Sequence, residues 1–267
     1  MLAASVEHDH HIAAVALEYW EQSRRPLLSL LFVLPLLVAY EWGVLWLGPQ
    51  AVRNGADVWL RQFLEGLGFA EKVQYFLLPV ATVGLLLGWH HLTHRPWNVS
   101  YRFLAWMGFE SVVLAMFLIG AAHSQHAVMK QFGWQIPSAT VESAVPASVA
   151  GEMKPLLGRM VGFFGAGIYE EVLFRLIVLA ALWAMFRGWF GSTKAAAMLA
   201  ITLSSVIFSG AHYIGPHGQD FAVYSFLFRC LAGSFFAVLF VLRGFGVAAG
   251  THAGYDIMVG LMYSGAG

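Results

Sequence analysis

Repeated apolar stretches run through this chain, and they restrict its fold more than any other feature. A helix of about 20 apolar residues spans the roughly 30 Å hydrocarbon core of a bilayer. Hydrophobic residues make up 59% of the 267 residues and charged residues only 11%, whereas roughly a quarter of a soluble domain is charged. A soluble domain cannot bury that much apolar surface. The sequence therefore predicts an all-α, polytopic transmembrane helical bundle.

The apolar stretches predict one membrane domain with a short polar start. Residues 1–25 form a predicted interfacial lead-in, and residues 26–267 a single transmembrane domain. Seven spans are predicted, or eight if the long fourth stretch divides. Their ranges are 26–48, 73–93, 102–122, 155–186, 195–214, 220–242 and 245–264. The most polar connection, residues 123–154, is predicted to be a loop outside the bilayer with room for a short surface helix.

Ionisable residues interrupt the fourth apolar stretch at Glu170-Glu171-Val172-Leu173-Phe174-Arg175. On a helix, Glu171 and Arg175 lie four residues apart on one face, so the arginine can neutralise that glutamate where water cannot. Glu170 points about 100° away from its neighbour. It is therefore free to face a cavity as a candidate general base. The alternative is a buried ion cluster that only fixes helix packing.

Two later groups supply histidines and an aspartate. His212 follows Phe208 by four residues near the end of the fifth predicted span, and His252 and Asp256 lie four residues apart in the last one. Taken singly, His212 fits a packing role, and His252 with Asp256 fits a local hydrogen bond. Acids and histidines on three separate apolar helices have few reasons to occur together unless they converge at one site.

Such a convergence supports two hydrolytic mechanisms. In one, Glu170 takes a proton from a water molecule that attacks a peptide carbonyl, and neighbouring side chains stabilise the oxyanion. In the other, His212, His252 and Glu170 bind zinc, whose bound water is the nucleophile. The sequence has no Gly-x-Ser-x-Gly or His-Glu-x-x-His pattern, and its single cysteine, Cys230, belongs to none of the three groups. A covalent nucleophile is therefore unsupported, and a conventional zinc site is disfavoured.

The three groups also carry a resemblance to a known family. Glu-Glu-x-x-x-Arg, Phe-x-x-x-His and His-x-x-x-Asn/Asp, in this order on successive hydrophobic helices, resemble the signature of the CAAX prenyl protease and bacteriocin-processing (CPBP) intramembrane proteases. The resemblance covers residues 155–264, the expected catalytic core. It implies an intramembrane endopeptidase with a helical fold.

The resemblance also implies roles for these residues. Glu170 with His212 would activate the water, and His252 with Asp256 would form the oxyanion site. The second glutamate and the arginine of the first group would support the catalytic glutamate. A glutamic-type protease requires no cofactor, and zinc is the alternative. Eukaryotic members usually have Asn where this chain has Asp256; an ionised Asp cannot donate to an oxyanion, so this residue must be protonated, orient His252 or bind a metal.

The predicted function is hydrolysis of a peptide bond in a membrane-associated or hydrophobic protein. We expect an integral multi-pass protein of the cytoplasmic (inner) membrane of a prokaryote. Its expected partners are membrane lipid and a membrane-associated protein or peptide substrate, and zero net charge predicts no nucleic-acid partner. The alternative from another class is a non-catalytic membrane protein, such as a proton-coupled carrier or an immunity factor, that uses the same side chains as a relay.

One further charge in the predicted membrane domain requires a partner. Arg229 lies in the middle of the sixth predicted span, where an unpaired cation is costly. It could pair with an active-site carboxylate, bind a carboxylate of the substrate, or form a structural pair with a carbonyl or an acid. Glu41 and Glu110, in the first and third spans, are candidate counter-charges or belong to the cavity wall.

Overall fold

The computed structural model describes residues 2–48, 53–134, 153–215 and 218–264, and these ranges contain helices and no strand. The first half of the chain forms α1 (Leu2–Ser23), α2 (Pro26–Leu47), α3 (Gly55–Gly66), α4 (Glu71–Leu92) and α5 (Arg102–Gln131). The second half begins with α6 (Met153–Gly165), the π-helical stretches π1 (Ala166–Glu170) and π2 (Val172–Leu179), and α7 (Ala180–Phe190). It ends with α8 (Thr193–Ala211), α9 (Val223–Arg243) and α10 (Phe245–Ser264). The predicted all-α bundle is confirmed.

The predicted spans coincide with long helices. In the described part of the chain, six helical stretches are long and apolar enough to cross a membrane: α2, α4, α5, Leu157–Phe190, α8 and α9. The seventh predicted span corresponds to α10, which is not among these six by length and composition. The fourth predicted span does not divide, because α6, π1, π2 and α7 follow one another as one continuous helix. The protein is therefore an integral membrane protein.

Helix α5 is longer than predicted, so the expectation of a loop from residue 123 onwards is wrong at its start. The helix continues to Gln131. Two of its polar side chains bond back to carbonyls one turn earlier: His123 Nδ1 donates to the Ile119 carbonyl and Ser124 Oγ to the Gly120 carbonyl, both at 2.8 Å. Such local bonds allow polar residues to remain helical. Residues 135–152 of the predicted loop lie outside the described residues.

Several helix ends follow from local sequence signals. Pro26 occupies the first position of α2, where its missing N–H costs no helical bond. Helix α3 begins after Asn54, whose side-chain oxygen accepts a hydrogen bond from the N–H of Ala56 at 2.9 Å. Helix α9 ends at Arg243, and the next residue, Gly244, has a φ of 86° that an L side chain rarely adopts. This glycine turns the chain directly into α10.

Helix α10 lies at the centre of the bundle, packed against α2, α5, α6, π1 and α9. Small residues permit this position. A Cβ on Gly167 of π1 would lie 2.6 Å from Ala253 Cβ and 2.8 Å from the Ala249 carbonyl oxygen of α10, and a Cβ on Gly250 would lie 2.6 Å from the Phe32 ring. The π1–α10 contact brings the third group of ionisable residues beside the first.

Candidate active site

The two adjacent glutamates lie in the most irregular part of the long fourth span. Glu170 is the last residue of π1, and Glu171 separates π1 from π2. Glu171 is fully buried and Glu170 is 8% exposed. π-Helical turns inside α-helices are frequent at functional sites. The irregular turn presents both carboxylates to the centre of the bundle.

The charge of Glu171 is balanced by the arginine one turn later. Arg175 Nε lies 3.0 Å from Glu171 Oε2, and both side chains are fully buried. Arg175 Nη2 also donates to the Gly233 carbonyl of α9 at 3.2 Å, and its guanidinium lies 4.8 Å from the centre of the Phe208 ring. The arginine therefore links the fourth span to α8 and α9.

His252 of α10 lies between the two glutamates. Its Nδ1 is 2.8 Å from Glu171 Oε1. An ionised carboxylate only accepts, so this ring nitrogen carries the hydrogen. The opposite nitrogen, Nε2, lies 3.8 Å from Glu170 Oε2. Phe236 of α9 fixes the plane of the ring, since the two rings stack at 4.4 Å with an interplanar angle of 12°.

His212, directly after α8, is oriented in the same way. Its Nδ1 lies 2.8 Å from the carbonyl oxygen of Phe208, which can only accept, so Nδ1 carries a hydrogen. The Nε2 atom lies 3.9 Å from Glu170 Oε2. In a neutral ring this nitrogen bears the lone pair. Two imidazoles, from α8 and α10, thus direct Nε2 towards the same carboxylate oxygen.

The two oxygens of Glu170 have different surroundings. Oε1 accepts a hydrogen bond from Asn54 Nδ2 at 2.8 Å. Oε2 is buried and has no hydrogen-bond partner among the described residues, although both Nε2 atoms lie within 4 Å of it. These distances are too long for direct hydrogen bonds. They leave room for one water oxygen to contact Glu170 Oε2 and the Nε2 atoms of His212 and His252 at the same time.

Asp256 lies one turn after His252, at the edge of this group. Its Oδ2 is 3.7 Å from His252 Nε2, and its side chain is 21% exposed. The sequence offered a local hydrogen bond between these two residues as an alternative. At 3.7 Å that bond is not formed, and the histidine is held through its other nitrogen, Nδ1, by Glu171.

The sequence did not indicate Asn54 as part of the site. Its position before a short helix is an N-cap signal, but its bond to Glu170 joins residues 116 positions apart. It also lies outside the expected core at 155–264. No local pattern could have revealed this contact.

A buried polar network holds α3, and with it Asn54, against π1. Asp57 accepts from Tyr40 Oη at 2.8 Å and from Arg61 Nε at 2.6 Å. Arg61 Nη2 lies 3.4 Å from Glu41, which also accepts from the hydroxyl of Tyr169, the residue before Glu170. The network thereby ties α2 and α3 to the segment that carries the catalytic candidates.

Arg229 does not pair with either acid that the sequence offered. Its Nη1 donates to Tyr213 Oη at 3.0 Å, and its Nη2 donates to Gln219 Oε1. Glu110 instead accepts from Arg243 at 2.6 and 2.8 Å, and the other acid belongs to the α3 network. The suggested counter-charges are therefore wrong.

The zinc alternative requires His212, His252 and Glu170 to share one metal ion. Their facing atoms approach one another, with Glu170 Oε2 lying 3.9 and 3.8 Å from the two Nε2 atoms. Across the described ranges, however, no group of three or more His, Cys, Asp or Glu side chains has the arrangement of a metal site.

Comparison with known proteins gives one match. Residues 152–258 match the family model of the Rce1-like type II CAAX prenyl endopeptidases, which is less than half of the chain. No curated protein and no solved structure matches it. The match includes all three groups of ionisable residues and favours a peptidase over a carrier or an immunity factor. Residues 152–258 are therefore similar to the Rce1-like CAAX-type peptidases, which supports the resemblance to the CPBP family.

Proposed function

We propose that this protein is an intramembrane endopeptidase that hydrolyses a peptide bond of a membrane-associated or hydrophobic protein, with Glu170 as the general base. The observation that carries the proposal is the arrangement around Glu170 Oε2. This buried oxygen has no hydrogen-bond partner among the described residues and faces the Nε2 atoms of His212 and His252. A carboxylate that is free on one side and within reach of two imidazoles can bind and deprotonate a water molecule.

In the proposed reaction, the attacking water lies against Glu170 Oε2 and His212 Nε2. Glu170 removes one proton, and the water oxygen forms a bond to the peptide carbonyl carbon. The same proton then passes to the peptide nitrogen as the carbon–nitrogen bond breaks, which regenerates the carboxylate. Asn54 holds the other oxygen of Glu170 at 2.8 Å, so the carboxylate is oriented before the substrate arrives.

Stabilisation of the oxyanion is assigned to His252 and Asp256. His252 donates from Nε2 only when its ring carries both hydrogens, and the Glu171 carboxylate on Nδ1 stabilises that cation. Arg175 in turn holds the Glu171 carboxylate in place through their 3.0 Å contact. Asp256 donates to an oxyanion only when it is protonated; in its ionised form, with Oδ2 3.7 Å from His252 Nε2, it attracts the histidine cation.

Zinc-dependent hydrolysis by the same residues is the second candidate. One observation favours it: both histidines are held through Nδ1 by an oxygen acceptor, as metal-bound histidines usually are. When bound, zinc would supply the activated water. Activity that is lost on dialysis against a chelator and restored by zinc would support this candidate. Activity that persists in the metal-free protein would support the glutamic mechanism.

The proposal is tested by cleavage of a membrane-anchored peptide by the purified protein. Glu170→Gln and His212→Ala are expected to abolish cleavage while the protein still inserts and unfolds at the parental temperature. Glu65→Gln, at an exposed carboxylate of α3, is the matched control and should cleave like the parent. If Glu170→Gln cut the peptide as fast as the parent, Glu170 would not be the base.

The proposal includes a membrane location and a domain organisation. We place the protein in the cytoplasmic membrane of a prokaryote, with residues 1–25 as an interfacial lead-in and residues 155–264 as the catalytic core of the membrane domain. Many apolar side chains of α2, α4, α5 and α8 are exposed on the bundle, which supports contact with lipid. A substrate tethered to the membrane can reach such a site by lateral diffusion.

A further inference from the structure

Arg229 differs from the other buried arginines in the described ranges. Arg61, Arg175 and Arg243 each lie within 4.0 Å of a carboxylate. Arg229 is 8% exposed and has no carboxylate within that distance among the described residues. Its two hydrogen bonds go to neutral acceptors. Asp256 attracts it only from beyond that distance, and a buried guanidinium with no carboxylate in direct contact is costly in an apolar bundle.

Arg229 lies on the face of α9 that contacts the active site. Gly233 and Phe236 follow it by four and seven residues, which places all three on one side of the helix. The Gly233 carbonyl accepts from Arg175, and the Phe236 ring stacks on His252. Arg229 is one turn further along the axis, about 6 Å from Gly233 at the α-helical rise.

Two further contacts connect this arginine to the site. Its acceptors lie in the loop after α8: Tyr213 follows His212 directly, and the Gln219 N–H donates to the His212 carbonyl at 3.0 Å. On the other side, the neighbouring ring of Phe228 lies 5.9 Å from Tyr255, the residue before Asp256. Arg229 is therefore at the level of Asp256, between the loop of one catalytic candidate and the helix of another.

The chemistry of this position suits a carboxylate. Guanidinium has five N–H donors in a planar fork, and a carboxylate can accept two of them in parallel. Arg229 uses Nη1 and Nη2 for one described contact each, so donors remain for a ligand. A bound carboxylate would place a counter-charge in direct contact with the guanidinium, whereas a neutral group of the same shape would not.

We propose that Arg229, with Tyr213 and Gln219, forms a subsite that binds a carboxylate of the substrate a short distance from the bond that is cut. This inference rests on the proposed peptidase function. The carboxylate can be the C-terminus of the substrate or an Asp or Glu side chain near the cleaved bond. Both sources have the same chemistry, and matched peptides separate them.

The test compares peptides that differ only in this charge. One membrane-anchored peptide is made with a C-terminal carboxylate and with a C-terminal carboxamide, and a second with an internal Asp and with Asn at the same position. In the peptide pair that carries the recognised carboxylate, the parent is expected to have a kcat/KM at least about tenfold higher for the acid than for the neutral peptide. This ratio is the equivalent of one charge-assisted hydrogen bond. Arg229→Gln should reduce this ratio towards one, mainly through KM, and Arg229→Lys should retain part of it.

Arg187→Gln is the matched control, because Arg187 is an exposed arginine near the end of α7 that bonds to Thr193. It should keep the parental ratio. If the parent protein cut the acid and neutral peptides equally well in both pairs, the subsite would be refuted. This result is obtained with the parent alone, so it does not depend on whether a variant folds. An Arg229→Gln protein that keeps the parental preference would also overturn it.

Peptide binding separates this inference from the proposed function. Affinities for the acid and neutral peptides are measured in the Glu170→Gln background, with and without Arg229→Gln. A preference for the acid that disappears with the arginine supports the subsite even if the parent cleaves nothing, in which case only the peptidase proposal fails. Equal affinities for acid and neutral peptides, beside normal cleavage by the parent, would refute the subsite alone.

Discussion

Replacement of Asn54 measures how far Glu170 depends on the hydrogen bond to its Oε1 atom. The Asn54 side chain makes two bonds, since Oδ1 accepts from the Ala56 N–H at 2.9 Å and Nδ2 donates to Glu170 Oε1 at 2.8 Å. The first bond caps α3, and the loss of such a cap costs about 1 kcal/mol. The second has a charged acceptor, and its loss costs about 1.5–3 kcal/mol.

Two substitutions separate these bonds. Asn54→Ala removes both, whereas Asn54→Ser keeps an oxygen that can cap α3 but is too short to replace the bond to Glu170. Asn54→Ala should therefore have a free energy of unfolding about 1 kcal/mol below that of Asn54→Ser. Both should lower kcat by about 10- to 100-fold if the lost bond stabilises the transition state, since 1.36 kcal/mol corresponds to tenfold. KM should change little, because Asn54 contacts the base and not the substrate.

The assay follows kcat and KM on a membrane-anchored peptide, with unfolding measured on the same detergent-solubilised samples. Ser192→Ala is the matched control: Ser192 caps α8 by accepting from the Ala195 N–H at 3.4 Å, at the end of the helix opposite to His212. This variant should lose stability without losing kcat. If Asn54→Ser turned over at the parental rate, the bond to Glu170 would have no part in catalysis.

Two further substitutions test the packing around the site. Glu171→Gln leaves the buried guanidinium of Arg175 without its carboxylate, so the free energy of unfolding should fall by about 3–5 kcal/mol. Denaturation of the solubilised protein measures this change. A variant as stable as the parent would contradict a stabilising Glu171–Arg175 ion pair. Gly167→Val places a carbon 2.6 Å from Ala253 Cβ, so π1 and α10 should move apart. Cleavage should then fall by at least about tenfold, because small misplacements of catalytic groups have effects of this size. Its control is Gly188→Val, where a Cβ would meet nothing within 4 Å, and equal activity of the two variants would refute the argument.

The helices were predictable because the membrane imposes a length on each span. Apolar stretches such as 26–48 and 73–93 agree with α2 and α4 to within about two residues, the usual uncertainty of helix ends. The end of α5 was predicted too early because polar residues indicated the start of a loop. Its last turns contain His123 and Ser124, whose polarity suggested a loop, but backbone carbonyls one turn earlier satisfy both side chains. Hydropathy detects where a helix leaves the apolar region, and it does not detect where the helix ends.

The convergence of Glu170, His212 and His252 was predictable for a different reason. Ionisable side chains are costly inside apolar helices, so their order along the chain indicated a shared site. Their orientation was not predictable, because it depends on acceptors from other helices. The Asn54 contact likewise depends on α3 packing against π1, which the buried polar network of α3 maintains. Distant pairs of this kind leave no periodic signal in a single sequence.

The structure also changes how the two adjacent glutamates divide their roles. Regular helical geometry separates their side chains by about 100°, which suggested two independent environments, one structural and one catalytic. In the irregular turn between π1 and π2, both carboxylates instead contact His252, Glu171 through Nδ1 at 2.8 Å and Glu170 opposite Nε2 at 3.8 Å. The position of Glu171 therefore determines which ring nitrogen Glu170 faces. The structural pair and the proposed base are joined through one imidazole, so a change that moves Arg175 or Glu171 must also alter the surroundings of Glu170.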